Sequence, residues 1–444
     1  MESFKKGNII TAKLLTKLKA AWLRSKYRAY FLTLKYLYWP SLFADKPTIE
    51  VYLALNDPHS FMLVQVLSEI EQRFKVNLKL FLIYETVPTV GVDPKIIRHW
   101  ALADANYIAQ QYGLELIKQY PSAKALITGQ QIWQLSSKTV EQAATIFKQT
   151  WFDTFDFYYN PSTPLINFQI KNQQRLFSKG HYLPATLLFA GDWYIGIDRL
   201  IHLETKLINL GLSKSNELSK YNANLLTDKC VSNEDFIAPC RENQSENNVC
   251  EVFISLRSPY SYLGFEKVKA LAKKYHTSLR IKPILPMVMR GLGMPINKAR
   301  YIYIDAYREA KLANIPFQTF NDPIGQGIVN CYEIFSYAES KGKAVEFISA
   351  AFEAIYVKNY DVSQHQMMKL ICQSINLDYS KAKEYAMQHD WQQWTDVNQT
   401  ELEELGFWGV PCFKYQDTSC WGQDRLAQIE HAMKENMNKA VFEK

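Results

Sequence analysis

The stretch best suited to do chemistry is Ser258-Pro-Tyr-Ser261, which directly follows the apolar run Val252–Leu256 and Arg257. Serine is a favoured N-cap, and proline suits the first helical position because it has no N–H to leave unpaired. A strand ending on a helix start gathers free N–H groups and the positive end of the helix dipole around Ser258, which suits an anion or a thiolate. Taken alone, the same four residues make an ordinary capped helix.

Two later stretches could complete such a site. Gly409-Val-Pro-Cys412 holds an X-Pro bond, and Trp421-Gly-Gln-Asp-Arg-Leu426 opens the last helix. Each has a plainer reading: Pro411 as a trans loop proline, Asp424 as an N-cap, Arg425 paired with a surface acid, Cys412 as a small buried residue. Met287, Met289 and Met294 line an apolar segment whose flexible side chains suit a bulky or aromatic substrate. No His/Asp/Glu group has metal-ligand spacing, so no metal is expected, and the glycines near 291 lack the context of a phosphate loop.

These stretches recur. Pro47–Phe61 aligns without a gap on the stretch around Ser258, each pair 201 positions apart, so that Asp57 matches Ser258 and Pro58 matches Pro259. Tyr194–Glu204 aligns on Cys420–Glu430 and Pro184 on Pro411 at 226 or 227, which gives the second copy about 25 extra residues in its middle. In the first copy Asp57 would repel a thiolate and Ile197 replaces Gln423, so this copy is expected to be disabled. His59 beside Asp57 could be read as an acid/base pair, against the plainer reading of inherited structure.

The elements that must position these residues follow from the pattern. In the first copy, strands at Ile49–Leu55 and Leu78–Tyr84 flank a helix from Pro58. A helical stretch runs from about Pro94 to Leu176, and the copy closes with strands around Gly191-Asp192 and a helix from Asp198. In the second, strands at Val252–Leu256 and Ser278–Pro283 flank a helix from Pro259. Helices run from Lys298 to about Leu405, strands fall near Cys412–Tyr415 and Ser419–Trp421, and a last helix starts at Asp424. A β-α-β unit and a β-β-α unit separated by a helical insertion predict an α/β fold with a small central sheet. The expected organisation is a basic helical arm (1–46), a first domain (47–212), a polar linker (213–247) and a second domain (248–444).

The 444 residues, 48% hydrophobic and 14% aromatic, have a globular composition. The seven cysteines, odd in number and without a C-x-x-C, favour reduced thiols. With no apolar run of membrane-spanning length and no cleavable leader pattern, a cytoplasmic protein is expected. The net charge of +7 is concentrated in residues 1–40, where nine Lys or Arg face only Glu2, leaving the other 404 residues at about −1. That amphipathic, aromatic-rich arm could lie on an anionic membrane surface or pack on the body with its lysines in water. Nucleic acid is not the expected partner.

The second copy resembles the 2-hydroxychromene-2-carboxylate isomerase and kappa-class glutathione transferase branch of the DsbA-like thioredoxin-fold superfamily. The resemblance is carried by Ser258-Pro-Tyr-Ser-Tyr-Leu263, Gly409-Val-Pro-Cys412 and Trp421-Gly-Gln-Asp-Arg-Leu426. It covers roughly 248–438 and, weakened, 47–210, and it implies two thioredoxin-like domains, each with an all-helical insertion. It also implies that Ser258 hydrogen-bonds the sulfur of bound glutathione and that Val410-Pro411 is a cis bond pairing with its peptide part. By the same resemblance Gln423, Asp424 and Arg425 meet its γ-glutamyl end, and Lys298 its glycine carboxylate. The family's asparagine ahead of the insertion has no counterpart here, and Cys412 departs from the usual Thr or Ser. The implied activity is a glutathione-dependent isomerisation or transfer on a small aromatic or unsaturated molecule. The alternatives are a catalytically silent tandem binding or scaffold protein, and a thiol oxidoreductase.

Overall fold

The computed structural model describes residues 31, 46–84, 92–159, 166–215, 248–293, 296–318 and 321–442. The basic arm apart from Phe31, most of the polar linker, Cys230, Cys240 and Met294 lie outside the described residues. The described residues divide into two compact units, one of 46–215 with 296–301 and one of 248–293 with 302–442.

In the first unit β1 (Thr48–Leu53), α1 (Pro58–Val64), α2 (Leu67–Arg73) and β2 (Asn77–Leu82) come first. The expected long helical stretch is four helices: α3 (Pro94–Tyr112), α4 (Ala123–Leu135), α5 (Val140–Phe152) and α6 (Ile166–Ser178). It breaks where the chain favours turns: Gly113 ends α3 with φ +65, and Ser122 and Thr139 cap α4 and α5. Strands β3 (Thr186–Phe189) and β4 (Asp192–Ile195) follow, then a 3-10 turn at Ile197–Arg199 and α7 (Leu200–Asn209).

The second unit runs β5 (Val249–Ile254), α8 (Pro259–Tyr275), β6 (Ser278–Pro283) and α9 (Ile296–Leu312), whose first residues group with the first unit. Then come α10 (Gln326–Ser340), α11 (Ala344–Tyr356), α12 (His365–Ser374), α13 (Tyr379–Gln388) and α14 (Trp391–Glu404). β7 (Cys412–Tyr415), β8 (Thr418–Trp421), a 3-10 turn at Gln423–Arg425 and α15 (Leu426–Phe442) close it. Thus α15 begins two residues after Asp424, which sits in the tight turn before it and is not its N-cap.

Both sheets are four-stranded and share one topology, β2-β1-β3-β4 and β6-β5-β7-β8. Their registers match residue for residue: Thr48 faces Asn77 where, 201 positions on, Val249 faces Ser278. In the second half the offset is 226, with Thr186 facing Ile195 and Cys412 facing Trp421. The first strand of each sheet is buried on both sides, with Val51 and Leu53 on one face and Tyr52 on the other in one unit, and Val252 and Ile254 on one face and Phe253 on the other in the second unit, all at 0% exposure. Each such side chain contributes roughly 1.5–3 kcal/mol, so these strands are the thermodynamic centre of each core.

One sequence pairing is corrected. Gly422 N–H donates to Pro411 O at 2.8 Å, and its counterpart Gly196 N–H donates to Ala185 O at 2.7 Å. The residue in the place of Pro411 is therefore Ala185, with φ +53, and Pro184 lies one position upstream. The first unit carries one extra residue between its proline and its strand.

Candidate functional site

Ser258 is presented by the turn that joins β5 to α8. Its N–H donates to Ser255 O at 2.9 Å, its backbone is extended, and its hydroxyl accepts the Ser261 N–H at 3.1 Å. That bond fixes the oxygen over the helix start and leaves the hydroxyl its own proton to donate outward. Ser258 is part-exposed, whereas Ser261 is fully buried and its hydroxyl accepts the Ser255 N–H at 3.2 Å. Ser261 thus fastens strand to helix, and Ser258 is the accessible member of the pair.

Arg257 is held by two bonds of 2.8 Å to the Asp322 carboxylate. Tyr260, on the first turn, donates its hydroxyl to Asp305 Oδ2 at 2.7 Å, and Arg308 reaches the other oxygen at 3.0 Å. Asp305 is completely buried, so these bonds offset the cost of sequestering its charge. Sequence reasoning missed Asp305. The available signal was the 201-residue offset, which continues from Asp104 to Asp305.

Val410-Pro411 is cis, the single such bond among the described residues. A Cβ on Gly264 would lie 2.8 Å from the Phe413 ring, 3.2 Å from the Pro411 ring and 3.4 Å from Gln423 Cβ. Glycine at 264 is what lets α8, the proline loop and the 423–425 turn close on one another, about 9 Å along the helix from Ser258. Gly409 plays the same part on the other side, since a Cβ there would lie 2.8 Å from the Trp421 indole. Trp421 meets Trp408 edge-on at 4.3 Å, and Arg290 donates to Trp408 O at 3.1 Å. Val410 is part-exposed, and no hydrogen bond among the described residues engages its backbone.

The remaining expected site residues are placed less uniformly. Gln423 is buried, donates to Glu309 at 2.9 Å and to Asp424 at 2.6 Å, and accepts from Lys267. Arg425 is buried and donates to the Asp424 carbonyl at 3.3 Å, while Asp424 itself is part-exposed. Lys298 is on the portion of α9 that groups with the first unit, and burial pulls its pKa below the usual lysine range. Cys412 is fully buried on β7, and burial pushes its thiol well up, as expected for an unreactive packing residue.

At the equivalent place in the first unit, Asp57 caps α1, accepting the Ser60 N–H at 2.8 Å and the Ser60 hydroxyl at 2.6 Å. An ionised carboxylate accepts only, so it has no proton to offer a sulfur anion. His59 lies 2.9 Å from Asp104 and 3.9 Å from Asp57. Burial lowers its pKa, but the two carboxylates outweigh that and raise it to about 10. An imidazolium held this way is a poor base at neutral pH, which argues against reading His59 and Asp57 as an acid/base pair. The Gly264 position is Leu63, fully buried, and the helix is broken after Val64.

Among the described residues, no helix is long and apolar enough to cross a membrane. A family model described as "DSBA-like thioredoxin domain" matches residues 249–434. The 2-hydroxychromene-2-carboxylate isomerase of Pseudomonas putida is 24% identical over 193 residues, 42% of this chain and 94% of that protein. The like-named protein of Sphingobium xenophagum is 24% identical over 188 residues, 40% of this chain and 95% of the relative. A solved 2-hydroxychromene-2-carboxylate isomerase structure is 20% identical and covers 44% of this chain and 99% of its own, with a TM-score of 0.39.

Proposed function

The C-terminal half of the chain is a DSBA-like thioredoxin domain, and from that premise we propose that it is a glutathione-dependent isomerase or transferase of the 2-hydroxychromene-2-carboxylate isomerase type. Its substrate is a small aromatic or unsaturated molecule. The observation that carries the reading is the part-exposed Ser258 hydroxyl, oriented by the Ser261 N–H at 3.1 Å over a helix start.

The residues fit the thiol end of glutathione best. Ser258 donates its proton to the sulfur, and the helix dipole behind it favours the anion, so a thiol held there ionises more readily than in water. The unengaged backbone of Val410 beside Pro411 offers a donor and an acceptor to the peptide part. Asp424 supplies a carboxylate for the ammonium of the γ-glutamyl end. Gln423 and Arg425, both buried, shape that end by positioning Asp424, and Lys298, which groups with the first unit, is not part of the proposed site. When bound, glutathione supplies a nucleophile that can add reversibly to a conjugated double bond and free it to rotate. The chain's own part is to bind, orient and ionise.

One observation favours a silent binding protein as the second reading: the Gln423 amide is spent on Lys267, Glu309 and Asp424. A thiol oxidoreductase is disfavoured, because Ser258-Pro-Tyr-Ser261 has no thiol and Cys412 is buried with its pKa raised. Calorimetry with reduced glutathione on the full chain separates the readings, coupled to thiolate absorbance near 240 nm across pH. Wild type should bind and shift the thiol titration downward, and Ser258→Ala should weaken binding and abolish the shift. No heat from wild type would remove the proposal.

A further inference from the structure

The first unit contains a cavity of about 430 Å³ that the thiol-site reading does not use. It follows the outer edge of β2, which no other strand covers among the described residues, and is flanked by the end of α4 and by α6. The part-exposed Leu78, Phe81 and Phe168 give it apolar walls backed by the buried Leu80 and Trp133, Lys79 and Lys138 are exposed at its rim, and Asn172 is its anchored amide. None of its lining residues is acidic. Neither lysine has an acidic partner among the described residues; the Lys138 ammonium reaches only the Ser136 carbonyl at 3.3 Å.

The second unit shows why the space exists. Asn172 donates to Leu82 O at 2.8 Å and Asn398 donates to Pro283 O at 3.1 Å, which makes α6 the counterpart of α14 at the 226 offset. In that register Phe168 stands where the second unit has Trp394. The Trp394 indole donates to Ser336 at 2.7 Å and packs 5.6 Å from Tyr332 and 5.4 Å from Phe335. The edge of β6 is further closed by Lys282 bonding Glu401 of α14. The first unit has a smaller ring, and Phe81 replaces Lys282, so the edge stays open.

We propose that this cavity is a binding site for an amphipathic carboxylate, its apolar body against Phe168 and its anion at Lys79 and Lys138. The volume lies within the range of small-molecule pockets, which are mostly apolar with a few placed polar groups. The rim supplies cations and no acid, which selects an anion over a neutral or cationic ligand.

The test uses the full chain with 2-naphthoate, decanoate and the neutral 2-naphthalenemethanol in calorimetry. Wild type should bind at least one acid saturably, and the alcohol at least about tenfold more weakly, the upper range for two exposed ion pairs. The exposed-rim variant Lys79→Glu/Lys138→Glu should lose at least about tenfold for the acids and leave the alcohol unchanged. Phe168→Trp, which imports the bulk of the sister unit, should weaken both kinds of probe, and Ser258→Ala should change neither. No saturable binding of either acid, equal affinity for acid and alcohol, insensitivity to both cavity variants, or loss in Ser258→Ala would each overturn the proposal.

Discussion

His59 Nε2 lies 2.9 Å from Asp104 Oδ2, and the Tyr260 hydroxyl lies 2.7 Å from Asp305 Oδ2, in both cases across a separation of 45 residues. The same helix-to-helix tie is thus made by an imidazole in one unit and a phenol in the other. The two chemistries respond differently to pH. His59 has its pKa raised to about 10 from 6.5, so the stability it contributes is complete below pH 6.5 and is lost as pH climbs through about 10. His59→Gln should destabilise the first unit by about 2–3 kcal/mol at pH 6, since it leaves buried carboxylates without their cation. The gap to wild type should close towards pH 10. Denaturant unfolding at the two pH values reads this directly, and a gap independent of pH would show that His59 is held neutral.

Ser258→Ala removes a helix cap as well as the proposed sulfur donor. A loss of about 1 kcal/mol in stability is expected from the cap alone. Ser258→Asp keeps a cap, as Asp57 does in the first unit, and should retain stability while losing glutathione affinity. A variant that kept both would separate the hydroxyl from binding.

Gly264→Ala should cost about 1–3 kcal/mol, because its methyl would enter space held by the Phe413 and Pro411 rings at 2.8 and 3.2 Å. It should also weaken glutathione binding, as the proline loop is pushed off α8. Denaturation midpoints and calorimetry on one preparation test both effects.

Cys250, Cys331, Cys372, Cys412 and Cys420 are all buried, and burial raises the thiol pKa of the first four, that of Cys372 to about 12. In the native protein at pH 8, peptide mapping after brief iodoacetamide treatment should find these five unlabelled, and all should label in denaturant. Rapid native labelling of Cys412 would revive the oxidoreductase reading.

Much of this architecture was legible in the residues. Ser278–Pro283 and Cys412–Tyr415 were expected as strands and are found with those limits, because short runs that alternate apolar and polar residues (Leu279 and Ile281, Phe413 and Tyr415) between turns have few alternatives. The helix starts at Pro58 and Pro259 were equally plain. The helical insertions were not resolved into separate helices, since their breaks rest on single caps inside continuous apolar periodicity. The shift from Pro184 to Ala185 was hidden too, since identical residues align in sequence while the hydrogen bond from Gly196 selects a neighbour. The burial of Gln423 and the role of Asp305 depend on contacts between distant elements, which local pattern does not encode.

The latch formed by Ser261 on Ser255 recurs as Ser60 on Ala54, at 3.2 and 3.1 Å. The mounting of the helix is therefore separate from the group displayed at its tip, which is a hydroxyl in one unit and a carboxylate in the other. A framework built that way can exchange its working group by changing a single residue, and the two units of this chain carry two such settings.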